Sequence, residues 1–254
     1  MGEAQDKFPP GDNKVHFDFD SNTIVKFPDD TTVVGLISKG DESAYRDEVR
    51  RLTERSEESN LLLNTSKTQE LIISFSRVKP VAPPLVIKGE CVETVSAARF
   101  LGVHIEEDLK WGLNTTQTLK KAQQRLHFLR VLRRNNIRQS LLVSFYRCSI
   151  ESILTYCIGV WFGSCTAVQK GKLQRVVSTA QKVIGCSLPS LEELYESRVL
   201  RRAENIMKDA SHPGHSFFRK LPSGRRLQAL GSRTNRLRNS FFPSAVRIMN
   251  AANH

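Results

Sequence analysis

Two adjacent carboxylates, Asp29 and Asp30, are the residues of this sequence best suited to metal chemistry. They lie between two apolar runs, Ile24–Phe27 and Thr31–Ile37, and this pattern predicts a β-hairpin with the aspartates at its tip. Oxygen ligands suit Mg²⁺, which binds through one or two carboxylates together with substrate phosphates. The pair therefore predicts a weak Mg²⁺ site, although aspartate is also common in turns that bind nothing.

Five segments of the chain, taken in order, match the motifs of one enzyme family. They are Asn22–Gly35 for a catalytic Asp-Asp box and its following strand, Leu63–Thr68 for the next palm motif, Arg99–His104 for a primer-grip hairpin, Ser144–Leu154 for a thumb region and Leu221–Arg226 for the segment beyond it. In these segments the chain resembles the reverse transcriptase of non-LTR, LINE-type retrotransposons. Several ordered motifs at family-like spacing are more specific than any single motif.

The resemblance implies roles for individual residues. In that family the paired aspartates hold Mg²⁺ for two-metal phosphoryl transfer, and the first of the pair, here Asp29, is the more direct ligand. Lys67 matches a lysine proposed as general acid for the pyrophosphate leaving group, and Phe100 and Gly102 match the hairpin that holds the primer end. The implied catalytic residues are Asp29, Asp30 and Lys67. The alternative is an ordinary surface turn for the lysine and an ordinary hairpin core for the primer-grip residues.

Two departures from the family pattern bear on activity. Pro28 stands where the family has a small residue, and proline removes a backbone donor from the hairpin. The family also supplies a further aspartate and a nucleotide-selecting segment well upstream of the Asp-Asp box, whereas 26 residues precede Phe27 here. We therefore expect a 5′-truncated and catalytically inactive copy that lacks the fingers and the first half of the palm.

Charge is distributed unevenly along the chain, whose net charge is +12. Residues 1–110 contain 14 Lys/Arg and 20 Asp/Glu, whereas residues 111–254 contain 24 Lys/Arg and 6 Asp/Glu. Such asymmetry favours a polyanionic partner, and nucleic acid bound through its backbone without sequence preference is the natural one. The alternative is a solvated basic surface. The expected contacts are Lys120, Lys121, Arg125, Arg130, Arg133, Arg134, Arg225 and Arg226.

The residue pattern predicts an α+β fold, in which a partial polymerase palm is followed by a mainly α-helical thumb-like bundle. The palm part would be a small antiparallel sheet with a helix. The predicted organisation is a disordered N-terminus over 1–21, the partial palm over 22–110, the helical domain over 111–210 and a basic C-terminal tail over 211–254.

Four helices are predicted in the thumb-like domain. The first begins near Asn114 and has a basic surface. The second, at about 139–158, is apolar nearly all round and should be the buried centre of the bundle. The third, at about 167–184, should end at Gly185, and the fourth should begin with a capping box at Ser190–Glu193.

Cysteine usage and the N-terminal sequence indicate an intracellular protein, nuclear or cytoplasmic and not secreted. Met1–Gly11 is polar and acidic and does not resemble a signal peptide. The longest apolar run, Ile153–Phe162, is too short to span a bilayer, so no membrane partner is expected. Five cysteines without a C-x-x-C pair favour free and mostly buried thiols. They are Cys91, Cys148, Cys157, Cys165 and Cys186.

A second resemblance supplies an alternative function. Residues 119–157 resemble the short helical N-terminal segment of AlkB homologue 8, a tRNA-modifying enzyme with dioxygenase and methyltransferase domains. The chain offers neither the strands of a dioxygenase β-helix nor a glycine-rich loop for S-adenosylmethionine. The alternative is therefore a helical RNA- or protein-interaction module without catalytic domains.

Overall fold

A computed structural model describes residues 16–17, 22–27, 30–76 and 82–252 of the chain. The chain divides into two compact units, Met1–Val95 and Ser96–His254. The division falls before the Arg99–His104 segment, whereas the sequence pattern predicted it after residue 110. Strands and helices both occur, and helices dominate, so the predicted α+β class is confirmed. The palm and thumb assignments stay predictions.

The first unit contains short strands around one helix. Strands β1, β2 and β3 form an antiparallel sheet, β5 and β6 form a hairpin, and β4 pairs with β7 in parallel. The elements are β1 (His16–Phe17), β2 (Asn22–Lys26), β3 (Thr31–Gly35), α1 (Ser43–Glu58), β4 (Gln69–Leu71), β5 (Val86–Ile87), β6 (Glu90–Cys91) and β7 (Glu93–Val95). A small core joins α1 to the strands through Val49, Leu85, Ile87 and Val92.

The predicted hairpin of this unit is confirmed. Lys26 pairs with Thr31, which leaves a four-residue connection between β2 and β3. Gly35 ends β3 where a Cβ atom would lie 2.8 Å from the Tyr45 ring, so only glycine lets α1 pack this closely. The apolar run Leu71–Phe75 predicts a longer strand than the structure contains, and this prediction is wrong beyond Leu71, where the chain leaves its pairing with β7.

The second unit contains one hairpin and a helical bundle. A π-helical turn, Arg147–Glu151, joins α3 to α4. The elements are β8 (Ala97–Phe100), β9 (Val103–Glu106), α2 (Gly112–Arg134), α3 (Gln139–Tyr146), α4 (Ser152–Leu154), α5 (Ile158–Trp161), α6 (Ala167–Ile184), α7 (Leu191–Lys208), α8 (Asn235–Arg238) and α9 (Phe241–Ala252).

The run from α3 to α5 lies at the centre of the bundle, but it is buried along one face rather than nearly all round as predicted, and Leu141 and Val160 are 58% and 54% exposed. The buried apolar side chains recur every three or four residues and are at most 1% exposed. They are Leu142, Tyr146, Ile150, Leu154, Ile158 and Trp161.

By length and composition the run Gln139–Ser164 could also cross a membrane, a test that the core helix of a soluble protein passes as well. This run is longer than Ile153–Phe162, the apolar stretch from which we predicted that the protein has no membrane partner. The absence of a membrane partner therefore stays a prediction.

Local signals set the ends of the next two helices. Gly185 follows α6 in the left-handed conformation with φ at 82°, as the predicted C-terminal residue should. The Ser190 and Glu193 side chains accept hydrogen bonds from each other's backbone amides at the start of α7, so the predicted capping box is confirmed. An equivalent box at Thr166 and Gln169 begins α6 and was not predicted.

The central run breaks once, between α4 and α5. Cys157 adopts a left-handed conformation with φ at 49°. Two side chains donate to carbonyl groups at the break: Arg198 to the Thr155 oxygen at 2.8 Å, and Trp161 Nε1 to the Tyr156 oxygen at 2.8 Å. The break is therefore a supported part of the bundle.

The C-terminal region contributes to the core of the second unit. Ala245 and Val246 of α9 are buried in the same cluster as the central run. The Asn250 side chain accepts from the Leu227 amide at 2.8 Å and donates to the Leu227 oxygen at 3.0 Å, which ties the preceding loop to α9. The rings of Phe217 and Phe242 lie 4.5 Å apart between centroids and add a second contact between that loop and α9.

All five cysteines are free, as predicted, but the expected burial is wrong for most of them. Cys91, Cys148 and Cys157 are exposed and Cys186 is intermediate, because each lies on an outer face or at the helix break. Cys165 is buried, and burial raises the pKa of its thiol to about 12. Cys165 therefore behaves as a core residue.

Candidate nucleic-acid interface

The described part of the Asp-Asp hairpin consists of its strands and Asp30. The Phe27 amide donates to the Asp30 carbonyl oxygen at 2.7 Å, which closes the connection between β2 and β3. The Asp30 side chain is exposed. Asp29, predicted as the more direct Mg²⁺ ligand, lies outside the described residues, as does Pro28. The predicted metal pair therefore stays a prediction.

Lys67 lies in the same unit, at the end of the 3-10 turn Thr65–Lys67. Its side chain is exposed, and its amide donates to the Asn64 side chain at 3.2 Å. The predicted turn at this position is confirmed. Within the described ranges, no group of three His, Cys, Asp or Glu side chains is placed to hold a metal ion.

The segment matched to a primer grip, Arg99–His104, belongs to a β-hairpin with a two-residue turn. Phe100 pairs with Val103, and the turn residues Leu101 and Gly102 both have positive φ, at 46° and 84°. Tyr156 donates from its hydroxyl to the Leu101 oxygen at 2.7 Å. This turn type favours glycine at its second position. The turn therefore explains by itself why residue 102 is glycine, without a role in primer binding. The tip is held on the helical bundle at its break.

The opposite end of the hairpin caps α2. Trp111 precedes the helix in a left-handed conformation and gives no side-chain cap. The Glu106 carboxylate takes that place, accepting from the Leu113 amide at 2.9 Å, and Asn114 accepts from the His104 amide at 3.2 Å. Sequence rules for helix capping consider the residue immediately before the helix. They therefore miss a cap provided by a strand residue that lies six residues before the first residue of α2.

Replacing Glu106 with alanine is expected to destabilise the protein by about 1–2 kcal/mol, because an unpaired amide and a lost negative charge remain at the start of α2. Urea unfolding followed by circular dichroism measures the effect. Glu106→Gln is the matched control. It keeps an oxygen acceptor and should therefore lose much less stability than Glu106→Ala. Equal stability of all three proteins would show that the cap contributes nothing.

The six predicted cations of α2 are all exposed. We call this set the α2 basic surface: Lys120, Lys121, Arg125, Arg130, Arg133 and Arg134. None of them forms an ion pair with another residue that the structure describes. Their charges are therefore available to a partner.

The neighbouring sequence strengthens this surface. Residues 109–150 contain nine Lys/Arg and no Asp or Glu. Arg138 and Arg147, which were not among the predicted contacts, belong to this stretch and are exposed. The signal that could have found them is the uninterrupted lack of acidic residues between Asp108 and Glu151. A salt-bridged surface would alternate the two signs.

His104 reports the positive potential beside the hairpin. Partial burial, and then the charges of Arg99 and Lys121, lower the pKa of its imidazole from the ordinary value. Lys121 of the α2 basic surface is therefore close enough to the hairpin to act on His104. An anion bound there would act in the opposite direction and raise the His104 pKa.

The second predicted cluster, Arg225 and Arg226, lies in a turn. The Leu221 amide donates to the Arg226 oxygen at 2.8 Å, and Gly224 has a φ of 69°. Both arginine side chains are exposed. Unlike the α2 set, they are on an irregular segment, so local structure does not align them with other cations.

An exposed aromatic ring can stack on an unpaired base, and Phe128, Tyr146 and Trp161 are the aromatic residues to weigh for that role. Tyr146 and Trp161 are buried in the core, which excludes them. Phe128 is 49% exposed on α2. It is the candidate that the structure leaves accessible.

Comparisons with known proteins give two partial similarities. The family model described as “Alkylated DNA repair protein alkB homolog 8, N-terminal” matches residues 111–152. A 126-residue segment, 49% of this chain, is 24% identical to “Probable RNA-directed DNA polymerase from transposon BS” of Drosophila melanogaster and spans 14% of that protein. No solved structure matches the chain. The chain is thus similar, over about half its length, to a transposon RNA-directed DNA polymerase, and over a shorter helical segment to the AlkB homologue 8 N-terminal family.

Proposed function

We propose that this chain derives from a retrotransposon RNA-directed DNA polymerase of the LINE type and binds nucleic acid through its phosphate backbone. The observation that carries the proposal is the exposed α2 basic surface within a 42-residue stretch, 109–150, that contains no acidic residue. Nucleic acid is the partner whose charge density matches such a surface. The similarity to a transposon polymerase gives independent support.

Binding should be strongly salt-dependent. Each phosphate neutralised by a cation releases counterions, so the logarithm of the association constant falls with the logarithm of salt by about 0.7–0.9 per contact. With three or more contacts the slope should be steeper than about −2. Fluorescence anisotropy with labelled RNA and DNA of unrelated sequences, at several salt concentrations, measures it. A flat salt dependence, or no binding, would refute the proposal.

We further propose that the 254-residue polypeptide, tested by itself, does not polymerise. Two-metal phosphoryl transfer needs ligands that hold both ions, and the resemblance offers Asp29 and Asp30 without the third aspartate of the family. Any Mg²⁺ held by this pair should be weakly bound. Primer extension with Mg²⁺ and labelled deoxynucleotides should give no product. Incorporation that disappears in Asp29→Ala would overturn this expectation.

The second candidate is a helical RNA- or protein-interaction module, and the family match over residues 111–152 favours it. That match covers α2, α3, the whole π-helical turn Arg147–Glu151 and the first residue of α4. A protein partner bound by apolar contacts would stay bound at high salt, whereas a backbone-bound nucleic acid would be released. Salt titration therefore separates the two candidates. For either one we propose an intracellular location, in the nucleus or cytoplasm, without a membrane partner.

A further inference from the structure

An exposed aromatic ring lies among the cations of α2. The guanidinium carbon of Arg125 lies 6.0 Å from the Phe128 ring centroid, within cation–π range. The His127 ring meets Phe128 edge-on, with 5.8 Å between centroids. The Phe128 ring is thus flanked by a cation while half of its surface stays accessible.

The position of Phe128 on the helix matters as much as its exposure. Residues four and seven positions apart lie on the same side of an α-helix, so Lys121, Arg125 and Phe128 face the same direction. Lys121 is also, after Arg99, one of the two cations that lower the pKa of His104 in the hairpin. Ring and charges therefore form one continuous surface.

We infer, on the basis of the proposed function, that this surface binds single-stranded nucleic acid in preference to duplex. An unpaired base stacks on Phe128 while Lys121 and Arg125 contact the adjacent phosphates. In a duplex the faces of the bases are covered by their neighbours, so the ring finds no partner there and only the cations contribute.

The test compares two probes of the same sequence, a labelled single strand of about 12 nucleotides and its duplex, at one moderate salt concentration. The proteins are the wild type, Phe128→Leu and Phe128→Trp. Leucine keeps the apolar bulk and the helix propensity but removes the aromatic face. We expect Phe128→Leu to bind the single strand about 5- to 100-fold more weakly and the duplex unchanged, with Phe128→Trp close to the wild type.

The outcomes separate this inference from the proposed function. A Phe128→Leu protein that binds both probes as the wild type does, or loses both equally, overturns the single-strand preference and leaves backbone binding intact. Wild-type protein that binds neither probe overturns both, and makes an acidic protein the better partner for α2. Circular dichroism of each variant shows that the helices are retained.

Discussion

Replacing the six cations of the α2 basic surface with glutamine should reduce nucleic-acid affinity on the order of 100-fold at about 0.1 M salt. The estimate assumes that about half of the six contact phosphate, each contributing about 0.7–0.9 to the salt slope. The slope itself should become less steep by about 2–3. Glutamine forms helix nearly as well as lysine and arginine, so α2 should remain folded. Anisotropy titrations of the variant and the wild type across salt concentrations measure both effects.

A matched control separates the position of the charges from their number. Six exposed cations on α6 and α7 can be changed to glutamine with the same loss of net charge, and they are Lys172, Arg175, Lys182, Arg201, Arg202 and Lys208. If α2 is the binding surface, this control should retain most of the affinity. An equal loss in both proteins would mean that the overall charge, rather than α2, attracts the nucleic acid.

Trp161→Ala should destabilise the second unit by about 3–5 kcal/mol, the range for removing a large buried aromatic side chain. Trp161 is 1% exposed, packs edge-on against Phe162 and donates to the Tyr156 oxygen at the helix break. Total stabilities of domains are about 5–15 kcal/mol, so the loss would be a large fraction. Denaturant unfolding followed by circular dichroism measures it.

Two control variants show which interactions of Trp161 account for the loss of stability. Trp161→Phe keeps most of the packing but removes the Nε1 donor, and should cost about 1–3 kcal/mol for the unpaired carbonyl. Val168→Ala removes an apolar side chain that is 68% exposed, and should change stability by at most about 0.5 kcal/mol. If Trp161→Ala were as mild as Val168→Ala, the break would not depend on the tryptophan.

Elements that are encoded locally were predictable. The helix α6 matches the predicted range, since its apolar residues recur at helical spacing and Gly185 marks its end. The start of α7 follows from two side chains three residues apart. Contacts between distant residues were not predictable: the parallel pairing of β4 with β7 joins segments 24 residues apart, and no short pattern specifies it. The left-handed Cys157 has the same origin, because Arg198 supports the break from another helix.

The candidate site divides along the same line. The exposure of the α2 cations followed from their helical phase relative to Ala122, Leu126 and Leu129, which are buried. The cap provided by Glu106 required the three-dimensional arrangement of the hairpin. The roles of Asp29 and Lys67 are inferred from the family resemblance. They concern catalysis, and the fold of the chain does not by itself show catalysis.

The order of synthesis gives the position of α9 a further meaning. Ala245 and Val246 complete the cluster to which Tyr195 and Val199 of α7 belong, so that part of the cluster is incomplete until about 45 further residues have been translated. A nascent chain exposes such apolar surface while the ribosome is still working, and exposed surface of this kind attracts chaperones and other unfinished chains. That surface is covered once α9 has left the ribosome and packed against α7.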